Sequence, residues 1–216
     1  MFIGTERIMN IYLIRHGRQS SPLCNVNVDL AEEGKKQAHL LGRRLKSYNI
    51  DALYSSNLIR AVETAGILNE YLKLDHIIRE DIREISFGFL EGKSNDEIEK
   101  EFGDFKRKQL LLQEDLPYPG GECGREVFDR AMETVGEIIH SDKSNIAVVT
   151  HGGVIRALVA GLLGLDMSKK LLLGISLENT SITHMVYSKD RERFYLQRFN
   201  DYAHLEGQDG LLRVNL

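Results

Sequence analysis

The sequence predicts an α/β fold with three layers: a mainly parallel central sheet, helices on both of its faces, an antiparallel edge strand and a helical cap insertion. Two short continuous apolar runs, at 11–14 and 146–149, are typical of strands that are covered on both faces. Amphipathic helical patterns separate the predicted strands, and this alternation favours a parallel sheet. Because 42% of the 216 side chains are apolar, we expect residues 1–216 to form one domain.

The first half of the chain is predicted to contain three strands that alternate with two helices. The predicted elements are a strand at 11–14, a helix at 29–48, a strand at 52–54, a helix at 56–72 and a strand at 76–80. Asp29 is the expected N-cap of the first helix, and Ser56 or Asn57 is the expected cap of the second. The apolar stripe of the second helix is expected to contain Leu58, Ala61, Ala65 and Leu68.

The second half begins with a charged segment, at about 91–121, that we interpret as an inserted helical cap. This segment has Ser94 and Glu97 at capping-box spacing. Cys123 and Glu126 have the same spacing without a capping hydroxyl, which should cost about 1 kcal/mol at the start of the following helix. The remaining predicted elements are that helix, a strand at 145–150, a helix at 152–164 and a β-hairpin at 180–187 and 193–199.

Composition and charge argue against several classes of protein. Lysine and arginine total 28 against 32 acidic residues, so no basic field favours binding to nucleic acid or an anionic membrane. Cys24 and Cys123 are too few for a disulfide framework and lack zinc-ligand spacing, which suits a reducing compartment. No apolar run approaches the roughly 20 residues of a membrane span. We therefore expect a cytoplasmic protein that binds a small molecule.

Two histidine-glycine pairs follow the two most apolar strands. Arg15, His16 and Gly17 end the first of these strands, and His151 and Gly152 follow the other. Because ligands bind at the carboxyl ends of parallel strands, we expect both histidines to face one crevice. A single histidine at a strand end more often serves a structural role, with its hydrogen bonds made inside the protein, whereas the pair favours a binding site. Arg15 disfavours a metal ion beside His16 and favours an anion, so no metal or organic cofactor is expected.

A series of short motifs covers nearly the whole chain. In order, these motifs are LIRHG, LAEEGKKQAHLLGRRL, LYSSNLIRAVETA, EISFGFLEG, YPGGE, VVTHGGVIRALV and LENTSIT. In these motifs the sequence resembles the histidine phosphatase superfamily, in its phosphoglycerate mutase-like branch. The resemblance implies that His16 is a phosphorylated nucleophile and that Arg15 and Arg60 bind phosphate. It also implies that Glu84 donates a proton and that His151 completes the pocket.

The sequence departs from the family pattern after the first motif. Many relatives have Glu or Gln, then Thr, and an Asn six residues after the histidine, where this chain has Arg18, Gln19 and Pro22. Gln19, Ser20 or Asn25 is expected to supply the lost polar contact. Beyond the two arginines, the candidate phosphate-binding residues are Gly17, Gln19, Asn25 and Gly152.

The implied chemistry needs a neutral imidazole and a cationic clamp. A neutral His16 attacks phosphorus in line when Arg15, Arg60 and His151 hold the charge of the equatorial oxygens. Glu84 must carry a proton to donate it to the leaving alkoxide, whereas nearby cations favour its charged form. A bound phosphate dianion makes the electrostatic potential around Glu84 negative instead of positive. We therefore expect substrate itself to keep Glu84 protonated and to favour a cationic His151.

Three functions are compatible with these residues. The first is a phosphomonoesterase, a histidine acid phosphatase-type phosphoric monoester hydrolase, that acts on a small phosphorylated metabolite through phospho-His16. The second is phosphotransfer of the phosphoglycerate mutase type, and the partly apolar entrance SSPLCNVNVDL, at 20–30, favours hydrolysis over it. The third is a relative that binds phosphorylated ligands without turnover.

The sequence leaves the substrate and the oligomeric state open. Sugar phosphates, nucleotide-loop intermediates such as α-ribazole phosphate, and phosphorylated amino acids are all candidate substrates. An apolar roof over the site, favouring a nonpolar leaving group, is expected from Phe87, Phe89, Phe102, Phe105 and Leu110 to Leu112. The predicted hairpin at the sheet edge is a candidate homodimer interface.

Overall fold

The central sheet of the protein has six strands. In the computed structural model, which describes residues 7–213, they are β1 (Ile8–Arg15), β2 (Ala52–Ser56), β3 (His76–Arg79), β4 (Asn145–Thr150), β5 (Ile182–Ser188) and β6 (Arg193–Asp201). Their order across the sheet is β3-β2-β4-β1-β5-β6. The first four strands run parallel, whereas β5 pairs antiparallel with both β1 and β6. The predicted α/β class is confirmed, and the β5–β6 hairpin supplies the antiparallel edge.

Helices cover both faces of this sheet. They are α1 (Glu32–Leu45), α2 (Ile59–Leu72), α3 (Asn95–Leu110), α4 (Gly124–His140) and α5 (Gly152–Leu162). Side chains of α1 and α2 pack against alternate strand residues that include Ile14 and Val149. Those of α4 and α5 pack against the intervening residues, which include Leu13 and Val148. Both faces of β1 and β4 are therefore apolar, and the three-layer prediction is confirmed.

The predicted N-caps of α1 and α2 are wrong. The helix α1 begins later than Asp29, whose Oδ1 instead accepts a hydrogen bond from the Ser20 hydroxyl at 2.5 Å. The helix α2 begins after Leu58, because β2 continues through Ser56 and the Ser56 hydroxyl contacts His151. Leu58, which was expected in the buried stripe, is only half-buried. Asp29 is thus used by the loop that leads into α1, and Ser56 is used by a distant residue, His151.

The charged insertion contains α3 and supports the start of α4. Its capping box is confirmed, because the Glu97 amide donates to Ser94 Oγ at 3.3 Å and the Ser94 amide donates to the Glu97 carboxylate at 2.8 Å. Cys123 is the N-cap of α4. The Asp115 carboxylate accepts hydrogen bonds from the first two amides of α4, at 3.0 and 2.7 Å. Asp115 therefore offsets the missing capping hydroxyl, and the expected cost at this helix start is smaller.

The sequence also led to expectations about membrane spans, location, oligomeric state and domain number. Within residues 7–213, no helix is long and apolar enough to cross a bilayer. A cytoplasmic location and a homodimer through the hairpin edge stay predictions. The assignment of residues 1–216 to one domain also stays a prediction, and its ends, 1–6 and 214–216, lie outside the described residues.

Gly34, in the first turn of α1, lets the loop after β1 approach the helix. A Cβ added there would lie 2.1 Å from the carbonyl oxygen of Arg18, a backbone atom that cannot move aside alone. We expect Gly34→Ala to destabilise the protein by ~1–3 kcal/mol, as overpacking does, and to lower Tm by ~2–4 °C per kcal/mol. Gly66→Ala is the control, because a Cβ on this exposed α2 residue meets nothing within 4 Å. Gly66→Ala should raise Tm slightly. Thermal melts in which Gly34→Ala has the same Tm as wild type would contradict the close packing at Gly34.

Candidate active site

The adjacent parallel strands β1 and β4 end side by side and place two histidines at one edge of the sheet. Arg15 pairs with Thr150 in the register of these strands, so the residues that follow, His16 and His151, are neighbours. Their ring centroids are 5.0 Å apart, with 53° between the ring planes. Both are buried, with 4% and 0% of their surface exposed. The structure therefore brings the two predicted histidines into one environment.

The His16 ring is held as a neutral imidazole with a defined tautomer. Its Nδ1 lies 2.7 Å from the Gly17 carbonyl oxygen, which can only accept, so Nδ1 carries the proton. The lone pair is left on Nε2, to which Arg60 Nε donates at 3.3 Å. Burial, followed by the charges of Arg15 and Arg60, holds the pKa of His16 well below its usual range. The ring is therefore neutral, with its unprotonated nitrogen at Nε2.

The His151 ring lies beside His16 and is also neutral. Its Nε2 is 2.7 Å from the hydroxyl of Ser56, at the end of β2. Burial, and then the charge that His16 would carry, holds the pKa of His151 well below its usual range. Its Nδ1 is buried and makes no hydrogen bond within residues 7–213. A buried polar atom without a protein partner at such a site favours a polar ligand there.

These depressed histidine pKa values make the ligand-free fold sensitive to acid. The unfolded chain has histidine pKa values near 6.5, so it binds more protons than the folded chain once the pH falls below that value. The free energy of unfolding should be greatest above about pH 6.5 and should decrease as the pH falls below it. His16→Asn removes one of these groups and should reduce that slope by up to ~1.4 kcal/mol per pH unit. Urea unfolding between pH 5 and 7.5 measures the slope, and identical slopes for both proteins would contradict the buried neutral ring.

Two guanidinium groups lie next to the histidines without a carboxylate partner. Arg60 is 2% exposed, and its Nη1 and Nη2 donate to the Val26 carbonyl at 3.0 Å and to Asn25 Oδ1 at 2.8 Å. Arg15 Nη1 donates to the Leu177 carbonyl, while its buried Nε has no hydrogen-bond partner within residues 7–213. Burial lowers the pKa of Arg60, and burial followed by Arg213 lowers that of Arg15 to about 9. Among the described residues neither arginine forms a salt bridge, so the site can bind an anion.

Glu84 is fixed at this site by the backbone. Its Oε1 accepts hydrogen bonds from its neighbour's amide, that of Ile85, at 2.9 Å and from the Gly153 amide, in the first turn of α5, at 3.0 Å. The Glu84 carbonyl accepts a hydrogen bond from Arg130 at 3.1 Å, and Arg130 pairs with Glu122 at 2.8 Å. Among the described residues, Glu84 Oε2 makes no hydrogen bond and is left for a ligand. Arg130 was not predicted, because its partners are backbone carbonyls and an acid far from any motif histidine.

Gly153 is close enough to Glu84 to test how precisely that carboxyl must be placed. A Cβ on Gly153 would lie 2.5 Å from Glu84 Oε1 and 2.6 Å from Ile85 Cγ2. We expect Gly153→Ala to displace the carboxyl and to lower kcat by roughly 10²-fold, the size expected for a misplacement of about 1 Å. Gly136→Ala, where a Cβ meets nothing within 4 Å, is the matched control. Steady-state kinetics in which both variants keep wild-type kcat would contradict the placement of Glu84.

The remaining predicted phosphate ligands differ in their surroundings. Asn25, with a φ of 45°, contacts Arg60 directly. Gln19 donates to the Ser21 carbonyl at 2.8 Å, although it lines the same cavity. The Gly17 amide donates to Thr64 Oγ1 at 3.0 Å, and a Cβ on Gly17 would lie 2.6 Å from the Gly34 carbonyl oxygen. Its phosphate contact stays a prediction. Gly152 is the first residue of α5, so its amide has no partner within the helix, whereas the next amide, that of Gly153, donates to Glu84.

Two cavities open at this edge of the sheet. The first, about 500 Å³, contains His16, Arg60 and the entrance residues 20–25, and the second, about 270 Å³, lies toward α5. Both are lined by Arg15, Glu84, Phe87 and Arg213. Of the expected apolar roof, only Phe87 lines the cavities, while Phe89 and Leu110 are 69% and 68% exposed. The expected preference for a nonpolar leaving group therefore loses most of its support.

Metal binding and thiol chemistry find no support in the geometry. In the part of the chain that the structure describes, no three His, Cys, Asp or Glu side chains are grouped so that they could hold a metal ion. Cys24 lines the first cavity, but burial, followed by Glu91, raises the pKa of its thiol to about 11. The site is accordingly a set of two neutral imidazoles, buried guanidiniums and one carboxyl group.

Comparison with known proteins assigns this geometry to a family. A model of the histidine phosphatase superfamily (branch 1) matches residues 11–202. The chain belongs to this superfamily. Phosphoserine phosphatase 1 of Hydrogenobacter thermophilus is 28% identical over 92% of this chain and 95% of its own. Probable phosphoglycerate mutase GpmB of Salmonella choleraesuis is 26% identical over 92% of this chain and 96% of its own.

Solved structures of histidine phosphatase superfamily members share the fold. A mycobacterial glucosyl-3-phosphoglycerate phosphatase superposes with a TM-score of 0.81 at 25% identity, over 89% of this chain and 99% of its own. A phosphoglycerate mutase from Bacillus anthracis superposes with a TM-score of 0.79 at 26% identity, over 93% and 96%. Family membership and fold are thereby shown, and the roles of individual site residues stay predictions.

Proposed function

We propose that this histidine phosphatase superfamily member is a phosphomonoesterase that hydrolyses a small phosphorylated metabolite through a phosphohistidine on His16. The observation that carries the proposal is the His16 ring, which is buried, neutral and has its lone pair on Nε2 beside the guanidinium of Arg60. A nucleophile of this kind attacks phosphorus while neighbouring cations hold the charge of the phosphoryl oxygens. The relatives named as phosphatases agree with this chemistry.

The reaction has two displacement steps. In the first, Nε2 of His16 bonds to phosphorus, the bond between phosphorus and the ester oxygen breaks, and Glu84 Oε2 gives its proton to the leaving alkoxide. In the second, water attacks the same phosphorus, Glu84 takes a proton from that water, and the P–N bond returns its electron pair to His16. Arg15, Arg60 and His151 hold the phosphoryl oxygens throughout, so catalysis depends mainly on positioning and electrostatics.

The bound phosphate also sets the protonation of the site. Four guanidinium groups, those of Arg15, Arg18, Arg60 and Arg213, line the first cavity with the single carboxyl of Glu84. A phosphate dianion offsets this positive charge, which keeps a proton on Glu84 and favours a cationic His151. Substrate binding therefore prepares the proton donor that the first step needs.

Phosphotransfer of the mutase type is the alternative, since relatives named as probable phosphoglycerate mutases match over the same length. A mutase returns the phosphoryl group to its substrate and must exclude water from the phosphoenzyme. Cations that bind a second acidic group would not separate the two functions, because relatives named as phosphatases are also named for acidic substrates. The entrance here includes Pro22, Leu23 and Cys24, so it is partly apolar. This composition favours release of phosphate to water.

A panel of phosphate esters tests the proposal. Sugar phosphates, α-ribazole phosphate, phosphorylated amino acids and 3-phosphoglycerate are incubated with the enzyme, and both inorganic phosphate and the isomer 2-phosphoglycerate are followed by ³¹P NMR. We expect phosphate release from at least one ester without accumulation of the isomer. Isomer formation that outpaces phosphate release would identify a mutase. No turnover of any ester would favour a non-catalytic phosphate-binding relative.

A further inference from the structure

The second cavity, of about 270 Å³, adjoins the reaction pocket and shares Arg15, Glu84, Phe87 and Arg213 with the first cavity. Besides the residues that it shares with the first cavity, it is lined by Arg156, Lys170 and Tyr118. Lys170 is already neutralised by a salt bridge with Asp115. Besides Arg15, which is assigned to the transferred phosphoryl group, the positive charges that this cavity offers to a ligand therefore come from Arg156 and from the shared Arg213.

Arg156, on α5, is a half-buried cation whose guanidinium is held in position by hydrogen bonds to backbone carbonyls. Its Nε donates to the Leu173 carbonyl at 3.2 Å, and its Nη2 donates to the Gly174 and Ile175 carbonyls at 2.8 and 3.0 Å. Across residues 7–213, no carboxylate lies within salt-bridge distance of Arg156, and its Nη1 makes no hydrogen bond. Burial lowers the pKa of Arg156, as expected for a cation without a counter-ion. A fixed guanidinium with a free nitrogen beside a cavity is suited to an anion.

Arg213 reaches the site because the C-terminal segment is tied to the loop after β1. The Arg18 guanidinium donates to the carbonyls of Gly210, Leu211 and Leu212, at 3.3, 3.2 and 3.2 Å. Arg18 stands where many relatives have an acid or amide, neither of which could bind three carbonyls in this way. The same anchoring is reinforced by Gln37, whose Nε2 donates to the Leu211 carbonyl at 2.7 Å.

The Arg213 side chain is then oriented toward both cavities. Its Nε donates to Asn179 Oδ1 at 3.3 Å, while Asn179 Nδ2 donates to the His16 carbonyl at 2.9 Å. Its nearest carboxylate, that of Glu178, is 3.9 Å away, too far for a hydrogen bond. Within the described chain, both terminal nitrogens of Arg213 lack hydrogen-bond partners. Arg213 therefore has donors available at the boundary between the reaction pocket and the second cavity.

We propose that the second cavity is a subsite for an anionic group on the leaving portion of the substrate, bound by Arg213 and Arg156. The substrate class is thus a phosphomonoester that carries a second acidic group, a carboxylate or another phosphate, near the ester bond. This inference rests on the proposed phosphomonoesterase function. The planar guanidinium forks match carboxylate and phosphate oxygens, and Phe87 and Tyr118 form apolar walls between them.

Matched substrate pairs test the subsite. 3-Phosphoglycerate and glycerol 1-phosphate differ in having a carboxylate or a hydroxymethyl group, and phosphoserine and phosphoethanolamine differ only in the carboxylate. We expect wild type to have the higher kcat/KM for the acidic member of at least one pair. Arg213→Gln should reduce that preference by roughly 10- to 100-fold, as for loss of one charge-assisted hydrogen bond. Arg193→Gln, an exposed arginine on β6, is the matched control and should keep the preference.

Arg156 needs two variants because its side chain also supports the 173–175 loop. Arg156→Lys keeps the charge and should keep more of the preference than Arg156→Met, and equal thermal melts show that the loop persists. Equal kcat/KM within both pairs, or turnover confined to esters without a second acid, would overturn the subsite while leaving the phosphomonoesterase proposal intact. An unchanged preference in Arg213→Gln and Arg156→Met would also overturn it. Absence of turnover for every ester would instead overturn the proposed function itself.

Discussion

Replacing His16 with asparagine should reduce kcat for phosphate-ester hydrolysis by roughly 10⁴- to 10⁶-fold, the effect of removing a covalent nucleophile. Among residues 7–213, His16 is the only histidine that lines the first cavity, and its Nε2 carries the lone pair, toward which Arg60 Nε donates at 3.3 Å. Asparagine retains a polar side chain of similar size but has no basic nitrogen. Initial rates on the most active ester of the panel measure the loss.

The control for this variant is His39→Asn, which changes a half-buried histidine on α1 that contacts Tyr71 away from both cavities. We expect that control to keep wild-type kcat. If His16→Asn retained more than about one-hundredth of the wild-type rate in a correctly folded protein, covalent catalysis by His16 would be excluded.

Glu84→Gln should give the second large effect, and its size should depend on the leaving group. The amide oxygen of glutamine can still accept hydrogen bonds from the Ile85 and Gly153 amides, so the side chain should stay in place. It cannot supply the proton that an alkoxide leaving group needs, which should lower kcat/KM for alkyl esters by ~10²–10⁴-fold. For p-nitrophenyl phosphate, whose leaving group departs without a proton, the loss should be much smaller.

The kinetics of Glu84→Gln separate a proton donor from a residue that only shapes the pocket. Glu80→Gln, at an exposed acid near the same segment, is the matched control and should leave both substrates unaffected. Equal losses for alkyl and aryl esters in Glu84→Gln would show that Glu84 acts through binding or structure, and proton donation would have to be assigned elsewhere.

The parts of the site that the sequence predicted are those fixed by local pattern. Apolar runs covered on both faces define β1 and β4, and parallel pairing then places His16 and His151 at one edge with no further information. Ser94 and Glu97 likewise form a capping box because the motif is complete within four residues. Arg60 was predicted from its motif, and its guanidinium contacts His16, Val26 and Asn25.

The parts that the sequence missed depend on contacts between distant segments. Arg213 reaches the pocket only because Arg18 and Gln37 hold backbone carbonyls of the C-terminal segment, and carbonyl acceptors carry no sequence signal. Arg130 supports Glu84 in the same way, through a carbonyl. The N-cap predictions at Asp29 and Ser56 failed for a related reason, because tertiary partners compete for those side chains.

The location of a covalent phosphoryl group tests the central claim most directly. The enzyme is mixed with a ³²P-labelled ester, quenched in alkaline denaturant within the first turnover, digested, and sequenced by mass spectrometry under conditions that preserve phosphoramidates. We expect acid-labile, alkali-stable label on the peptide that contains His16, and none in His16→Asn. Label on a different residue, or a wild type that turns over rapidly without acquiring label, would contradict the account.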